Sequence, residues 1–185
     1  MPCGCGKKKA GIMSFMDKES TERANPEEWG PILWKYLHCL SEKIGTSGNT
    51  IVNADQAKYV ETLITMLHQI IPCTECQTHA ATYISQHPFP SLKGLSDDLL
   101  RTTVRNWLFN FHNHVRSMKG QPILINTPEE CAQLYAECFV PKCEYTQFVQ
   151  SVAFAVRQGW VRIDNWKKWY SNSERIRIIT GNIVL

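Results

Sequence analysis

Asn25-Pro26-Glu27-Glu28-Trp29-Gly30-Pro31-Ile32-Leu33-Trp34-Lys35-Tyr36-Leu37-His38 has the punctuation and the period of an amphipathic helix. Asn25 can cap a helix, Pro26 suits its first position, and Glu27 and Glu28 favour the positive end of the helix dipole. Trp29, Leu33 and Leu37, followed by Leu40 and Ile44, then recur on one face at helical spacing, and Gly45 is a stop. Downstream, the same period returns with its own punctuation. Residues 45 to 52 read as a polar loop, and Asn53 with Gln56 as a capping box opening a second helix that runs to Pro72. A third helix starts at Pro72-Cys73 and reaches about His87, where Pro88-Phe89-Pro90 breaks it. Ser96 caps a long fourth helix over 97–119, closed by Gly120. Thr127-Pro128-Glu129-Glu130 opens a fifth helix to about Phe139, and a sixth follows over 144–158. Arg175 to Leu185 differs. It is rich in Ile and Val, and predicts a short β-strand or a hairpin around Gly181-Asn182. The expected class is all-α: a four-helix bundle with a short fifth helix over residues 25–140 and a C-terminal extension over 141–185. Residues 1–24 lack a sustained apolar period and read as a flexible N-terminal arm.

Composition narrows the function. The chain has 185 residues and is 43% hydrophobic, enough for a sizeable core. A net charge of +3, with Lys7 to Lys9 the one basic cluster, gives no footprint for nucleic acid. No run of about 18 apolar residues predicts a membrane span. No apolar segment follows the N-terminal charges, so no secretory leader is expected and the cytoplasm is the expected compartment. Against that background, eight cysteines are many. In a reducing compartment, clustered cysteines are metal ligands or redox catalysts.

Cys73-Thr74-Glu75-Cys76 is the sharpest local signal. Two cysteines at this spacing can form a disulfide. At a helix start, free amides and the dipole stabilise the thiolate that disulfide exchange requires. The alternative is half of a zinc site, completed by Cys131, Cys138 and histidines such as His79, in an interaction module without enzymatic activity. A second pair with matching spacing is missing, and a thioredoxin-like motif should follow a strand, whereas this one follows a helix. Cys3-Gly4-Cys5 on the arm forms a tight pair suited to a mobile electron shuttle. Cys39 reads as a buried thiol. Cys131 and Cys138 lie two helical turns apart and do not suit a mutual bond. The pairing of Cys39, Cys131, Cys138 and Cys143 stays open.

Two helices carry a second pattern. The first presents Trp29-Gly30, Trp34 and His38; the fourth presents Trp107, His112-Asn113, Val115 and Lys119. Aromatic walls, a few polar groups and a cation for phosphate are what a flat apolar ring system with a phosphate tail requires. Taken in order, Trp29-Gly30 to Trp34 to His38, then Pro72-Cys73 to Cys76, then Trp107 to His112-Asn113-His114-Val115 resembles the Erv/ALR family of FAD-linked sulfhydryl oxidases over about residues 25–125. Pro31 and Arg116 depart from it, standing where the family usually has arginine and asparagine.

The resemblance implies FAD held at the mouth of a helical bundle, usually in a homodimer, and electrons passed to molecular oxygen to give hydrogen peroxide. By motif position it makes Cys76 the flavin-proximal cysteine and Cys73 the interchange cysteine. Cys3 and Cys5 would relay electrons from protein dithiol substrates, a thioredoxin-like protein among them. It implies cofactor contacts from Trp29, Gly30, Trp34, His38, Trp107, His112, Asn113, Val115, Arg116 and Lys119. Lys167 and Trp169 would close the adenine side as a late aromatic does in the family. It implies no resident metal and no partner in nucleic acid or membrane. The cysteine-bearing arm and the atypical tail are similar to versions encoded by large DNA viruses, which would place the protein in the host cytoplasm or the virion.

Overall fold

The structure is a computed structural model; it describes residues 25–181 and Val184. Cys3 and Cys5, and with them the expected shuttle arm, lie outside the described residues. Among the described residues there are seven α-helices: α1 (Pro26–Lys43), α2 (Thr50–Thr65), α3 (Thr74–Gln86), α4 (Asp97–Met118), α5 (Pro128–Tyr135), α6 (Lys142–Arg157) and α7 (Ile163–Ile179), with a single 3-10 turn (Leu67–Gln69) between α2 and α3.

The opening stretch behaves as its residues dictate. Asn25 Oδ1 accepts from the Glu27 amide at 3.0 Å and Pro26 takes the first turn. The α1 face bearing Trp29, Leu33, Tyr36, Leu37 and Leu40 is buried. α1 runs through the middle of the molecule, packing on α4 and α5 on one side and on α6 on the other. α2 packs on α7, and α3 on the 3-10 turn. One continuous apolar core joins Leu37, Leu63 and Leu108 to Phe148, Trp169 and Ile176, so α6 and α7 are built into the same interior as the helices before them.

Two expectations are corrected. Asn53 and Gln56 do not cap α2. The cap is Asn49, whose Oδ1 accepts from the Ile51 and Val52 amides at 2.9 and 3.2 Å. Asn53 and Gln56 are buried inside the helix, one turn apart, and tie distant segments together. Asn53 Nδ2 donates to Asp97 at 2.7 Å, and Gln56 joins the Gly45 amide (2.8 Å) to the Ile179 carbonyl (3.3 Å). Of the segment expected as a strand or hairpin from Arg175 to Leu185, residues 175–179 are instead the last turns of α7, and Asn182, Ile183 and Leu185 lie outside the described residues. Trp166, Trp169, Ser173 and Ile176 are buried at helical spacing, and that burial outweighs the strand preference of three isoleucines. The sole bridge among the described residues pairs Val140 with Val184.

Buried polar groups along the α6–α7 seam are satisfied. The Ser173 hydroxyl meets the Tyr36 hydroxyl at 2.8 Å and the Tyr145 hydroxyl at 2.7 Å. Trp169 Nε1 donates to the Leu63 carbonyl at 3.0 Å.

Candidate functional site

Pro72 ends the preceding segment, and Cys73 caps α3, its sulfur accepting from the Cys76 amide at 3.2 Å. The two cysteines are joined as a disulfide. Both are half-buried, but they face differently. Cys76, inside the first turn, lines an apolar cavity of about 90 Å³ together with Leu67, Ile71, His79 and Ala80. Cys73 does not line it. Gln77, next in the helix, donates to the Ile71 carbonyl at 2.8 Å and the Trp160 carbonyl at 3.0 Å. The turn between α6 and α7 is thereby fixed beside the disulfide.

α1 and α4 supply the opposite walls. Trp29, Gly30, Leu33, Trp34 and Leu37 come from α1, and Phe111, Val115, Met118 and Lys119 from the end of α4. Trp34 stacks on His112, ring centroids 4.2 Å apart and planes 5° from parallel, and meets Phe111 edge-on at 5.2 Å. Past Trp34 the cavity opens into a more polar groove of about 230 Å³ whose walls share Pro26, Gly30, Val115 and Lys119. Lys35, His112, Arg116 and Tyr135 are added there. One end is therefore apolar and abuts a disulfide; the other carries three cations. Pro31 stands in the polar groove where the resembling family has arginine. Lys35, one turn further along, lies on the same wall and is paired with Glu144 at 3.3 Å.

Burial, with the nearby Arg116 charge, lowers the His112 pKa from 6.5 to about 4. His38 lies behind it, 1% exposed, and burial with the neighbouring His112 lowers it to about 3. Both imidazoles are neutral at pH 7.

The residues singled out from the sequence separate into groups. Trp29, Gly30, Trp34, Val115 and Lys119 line the apolar cavity, and His112 and Arg116 the polar groove. His38 lines neither and backs His112. Trp107 does not line either cavity: its Nε1 donates to the His87 carbonyl at 3.0 Å, and it packs with Tyr83 and Phe89 behind Phe111, whose ring it meets at 5.3 Å. Asn113 Nδ2 donates to the Ile125 carbonyl at 3.2 Å, holding the segment after α4. Lys167 and Trp169 are apart from both cavities: Lys167 is exposed on α7, and Trp169 is fully buried against Tyr36 and Phe148. The zinc set is not assembled, because Cys138 is bonded to Cys39 and Cys73 to Cys76. Among the described residues no group of three or more His, Cys, Asp or Glu side chains is placed to hold a metal ion. Among the described residues no helix is long and apolar enough to cross a membrane. Phe111 and Lys35 were not picked out from the sequence. Phe111 stands one turn from both Trp107 and Val115, a signal that was readable. Tyr135 reaches the groove from α5 and left no signal.

Comparison with known proteins adds an independent line. The model of the Erv1/Alr family matches residues 31–137. An African swine fever virus protein named FAD-linked sulfhydryl oxidase is 26% identical over 123 residues, 65% of this chain and 92% of that protein. The protein from a second isolate of the same virus is 25% identical over the same length. A relative from Invertebrate iridescent virus 3 is 29% identical over 100 residues, 54% of this chain and 62% of that protein. No solved structure matches the chain.

Proposed function

Since the chain belongs to the Erv1/Alr family, we propose that it is a thiol oxidase that binds FAD in the cleft between α1 and α4 and takes electrons from protein dithiols through Cys73–Cys76. The observation that carries this reading is the disulfide at the start of α3, of which Cys76 lines the cavity with Trp29, Trp34 and Phe111 and Cys73 does not.

The residues present fit a flavin. Trp29, Trp34, Leu33 and Val115 form apolar walls for a flat ring, and Lys35, Arg116 and Lys119 bring positive charge where phosphates would lie. When bound, FAD supplies a two-electron acceptor that hands its electrons to oxygen, giving hydrogen peroxide. The rest is the chain's own chemistry. An incoming substrate thiolate attacks Cys73, forming a mixed disulfide and releasing the Cys76 thiolate toward the cavity. The second substrate thiolate then displaces Cys73, so the substrate leaves as a disulfide and the Cys73–Cys76 pair holds two electrons. The amides and dipole at the start of α3 favour the thiolate that forms there. The apolar walls exclude water from Cys76. Lys119, and Arg116 in place of the family's asparagine, would hold the charged end of the cofactor, and His112 and Trp34 would contact its ring. Cys3 and Cys5 serve as the relay from large substrates. A homodimer and a thioredoxin-like dithiol partner complete the reading.

The test is spectroscopic and kinetic. The purified protein should be yellow and consume oxygen with dithiothreitol. Cys76→Ser should remove at least 99% of that uptake and keep the flavin bands. Replacing Cys3 and Cys5 together should slow oxidation of a reduced protein substrate and spare dithiothreitol. A folded, colourless protein that takes up no FAD sinks the proposal.

A further inference from the structure

Behind the cleft wall lies a chain of hydrogen bonds that the electron path leaves unused. His112 Nδ1 is 3.0 Å from His38 Nε2, and His38 Nδ1 is 3.4 Å from the sulfur of Cys131. Cys131 is 0% exposed and belongs to neither disulfide. His38 is clamped over the Tyr135 ring at 4.8 Å and 16°. Three residues from α1, α4 and α5 thus meet in one buried row that ends at the cleft.

Direction matters in such a row. A neutral imidazole has one N–H and one bare nitrogen, so two neutral rings bonded to each other can be oriented in only two ways. Cys131 decides between them. Burial, with the nearby Glu42 carboxylate, pushes its pKa up to about 11, so it is a thiol, and a thiol is a better donor than its sulfur is an acceptor. The sulfur is within hydrogen-bond distance of His38 Nδ1, while the Glu42 carboxylate is held by Arg105, whose Nε donates to it at 2.7 Å. The S–H therefore points at His38 Nδ1. His38 must then carry its hydrogen on Nε2 and donate it to His112 Nδ1. His112 in turn must carry its hydrogen on Nε2, the ring nitrogen that His38 does not hold.

We propose that Cys131 is a positioning residue: its buried S–H sets the tautomers of His38 and His112 so that His112 presents a fixed N–H donor, and no bare nitrogen, at the wall of the cleft. The consequence for an electron-rich acceptor atom of a bound flavin rests on the functional reading above. The tautomers themselves do not.

Long-range proton–nitrogen spectra of the flavin-loaded, ¹⁵N-histidine-labelled protein at pH 7 read the tautomers directly. His38 and His112 are expected as the Nε2–H form in the wild-type protein. Cys131→Ser should keep that form, because a hydroxyl donates in the same place. Cys131→Ala should lose it, with the Nδ1–H form appearing on at least one ring and the flavin absorption bands shifting. An Nδ1–H ring in the wild-type protein, or unchanged tautomers in Cys131→Ala, overturns the inference. Should Cys131→Ala not fold, the wild-type and Cys131→Ser spectra still decide it. A colourless protein whose histidines nevertheless adopt these tautomers sinks the flavin reading and leaves the hydrogen-bond chain standing.

Discussion

Gly45 shows how much one residue can fix. Its φ of 68° lies in the left-handed region, and a Cβ there would stand 2.4 Å from the Asp97 carbonyl oxygen. Its amide also donates to Gln56 at 2.8 Å. Backbone conformation and space both exclude a side chain, so Gly45→Ala should destabilise the protein by about 2–4 kcal/mol in denaturant unfolding. A midpoint equal to wild type would refute the close approach of α1's end to α4's start. His38 and His112 give a second prediction at this scale. Their pKa values fall from 6.5 to about 3 and about 4, so the folded state binds fewer protons than the unfolded chain below pH 6.5. Their contribution is fully present above pH 6.5 and is lost as pH falls toward 4. Denaturant midpoints should drop between pH 7.5 and pH 5, while NMR shows both rings still neutral in the folded protein at pH 5. Rings protonated in the folded protein at pH 5 would contradict the buried row. Both histidines could be picked from the sequence by their spacing from Trp34 and Trp107. Their contact with each other, and with Cys131, could not, because 74 and 93 residues separate the partners.

Among elements, α1 is joined to the segment just after α5 by the Cys39–Cys138 disulfide, which closes a separation of 99 residues. Cys39, read from sequence as a buried thiol, is therefore a cross-link, while Cys131 is the buried thiol. Constraint of the unfolded chain over so long a loop stabilises by roughly 2–5 kcal/mol. Changing both Cys39 and Cys138 to serine should lower stability by about that amount and leave oxidation of dithiothreitol largely intact at low temperature. Loss of turnover in a protein that remains folded would show that this second disulfide belongs to the electron path. The boundaries of α1 and α4 and the start of α5 were legible because their caps and turn residues are local, whereas α5 ends at Tyr135, short of the Phe139 expected. α2 was placed several residues late because Asn53 and Gln56 resemble a cap yet make tertiary hydrogen bonds. α7 was missed because Ile176, Ile178 and Ile179 favour a strand, whereas Ile176 shares a buried helical face with Trp166, Trp169 and Ser173 and Ile178 is exposed.

At the scale of the molecule, the segment after residue 140 is part of the interior. α6 covers α1, α7 covers α2, and Trp169, Phe148 and Val152 are fully enclosed among residues of the earlier helices. The family match ends at residue 137, so about 40 residues beyond it complete the core. A chain ending at Val140 would expose Tyr36, Leu63 and Ile64. It should fail to give a cooperative thermal transition and should bind a hydrophobic dye. A truncated protein that unfolds cooperatively near the wild-type temperature would show that the earlier helices form a core alone. The same packing sets the Gly159–Trp160 turn against Gln77, one residue past Cys76, so the C-terminal helices also shape the surroundings of the redox disulfide.

The helical class, the cysteine pair at a helix start and the aromatic and basic residues of two facing helices could be read from the order of amino acids alone. Each of these is written in local spacing: a cap, a 3.6-residue period, a two-residue gap between sulfurs. Only the tertiary structure decided which tryptophans face the cleft, that Trp169 is core, that Cys39 bonds Cys138, and that His112, His38 and Cys131 form one row. Those outcomes depend on which faces of α1, α4, α5 and α7 meet, and that is fixed by close packing and by the need to satisfy buried polar groups across long stretches of chain.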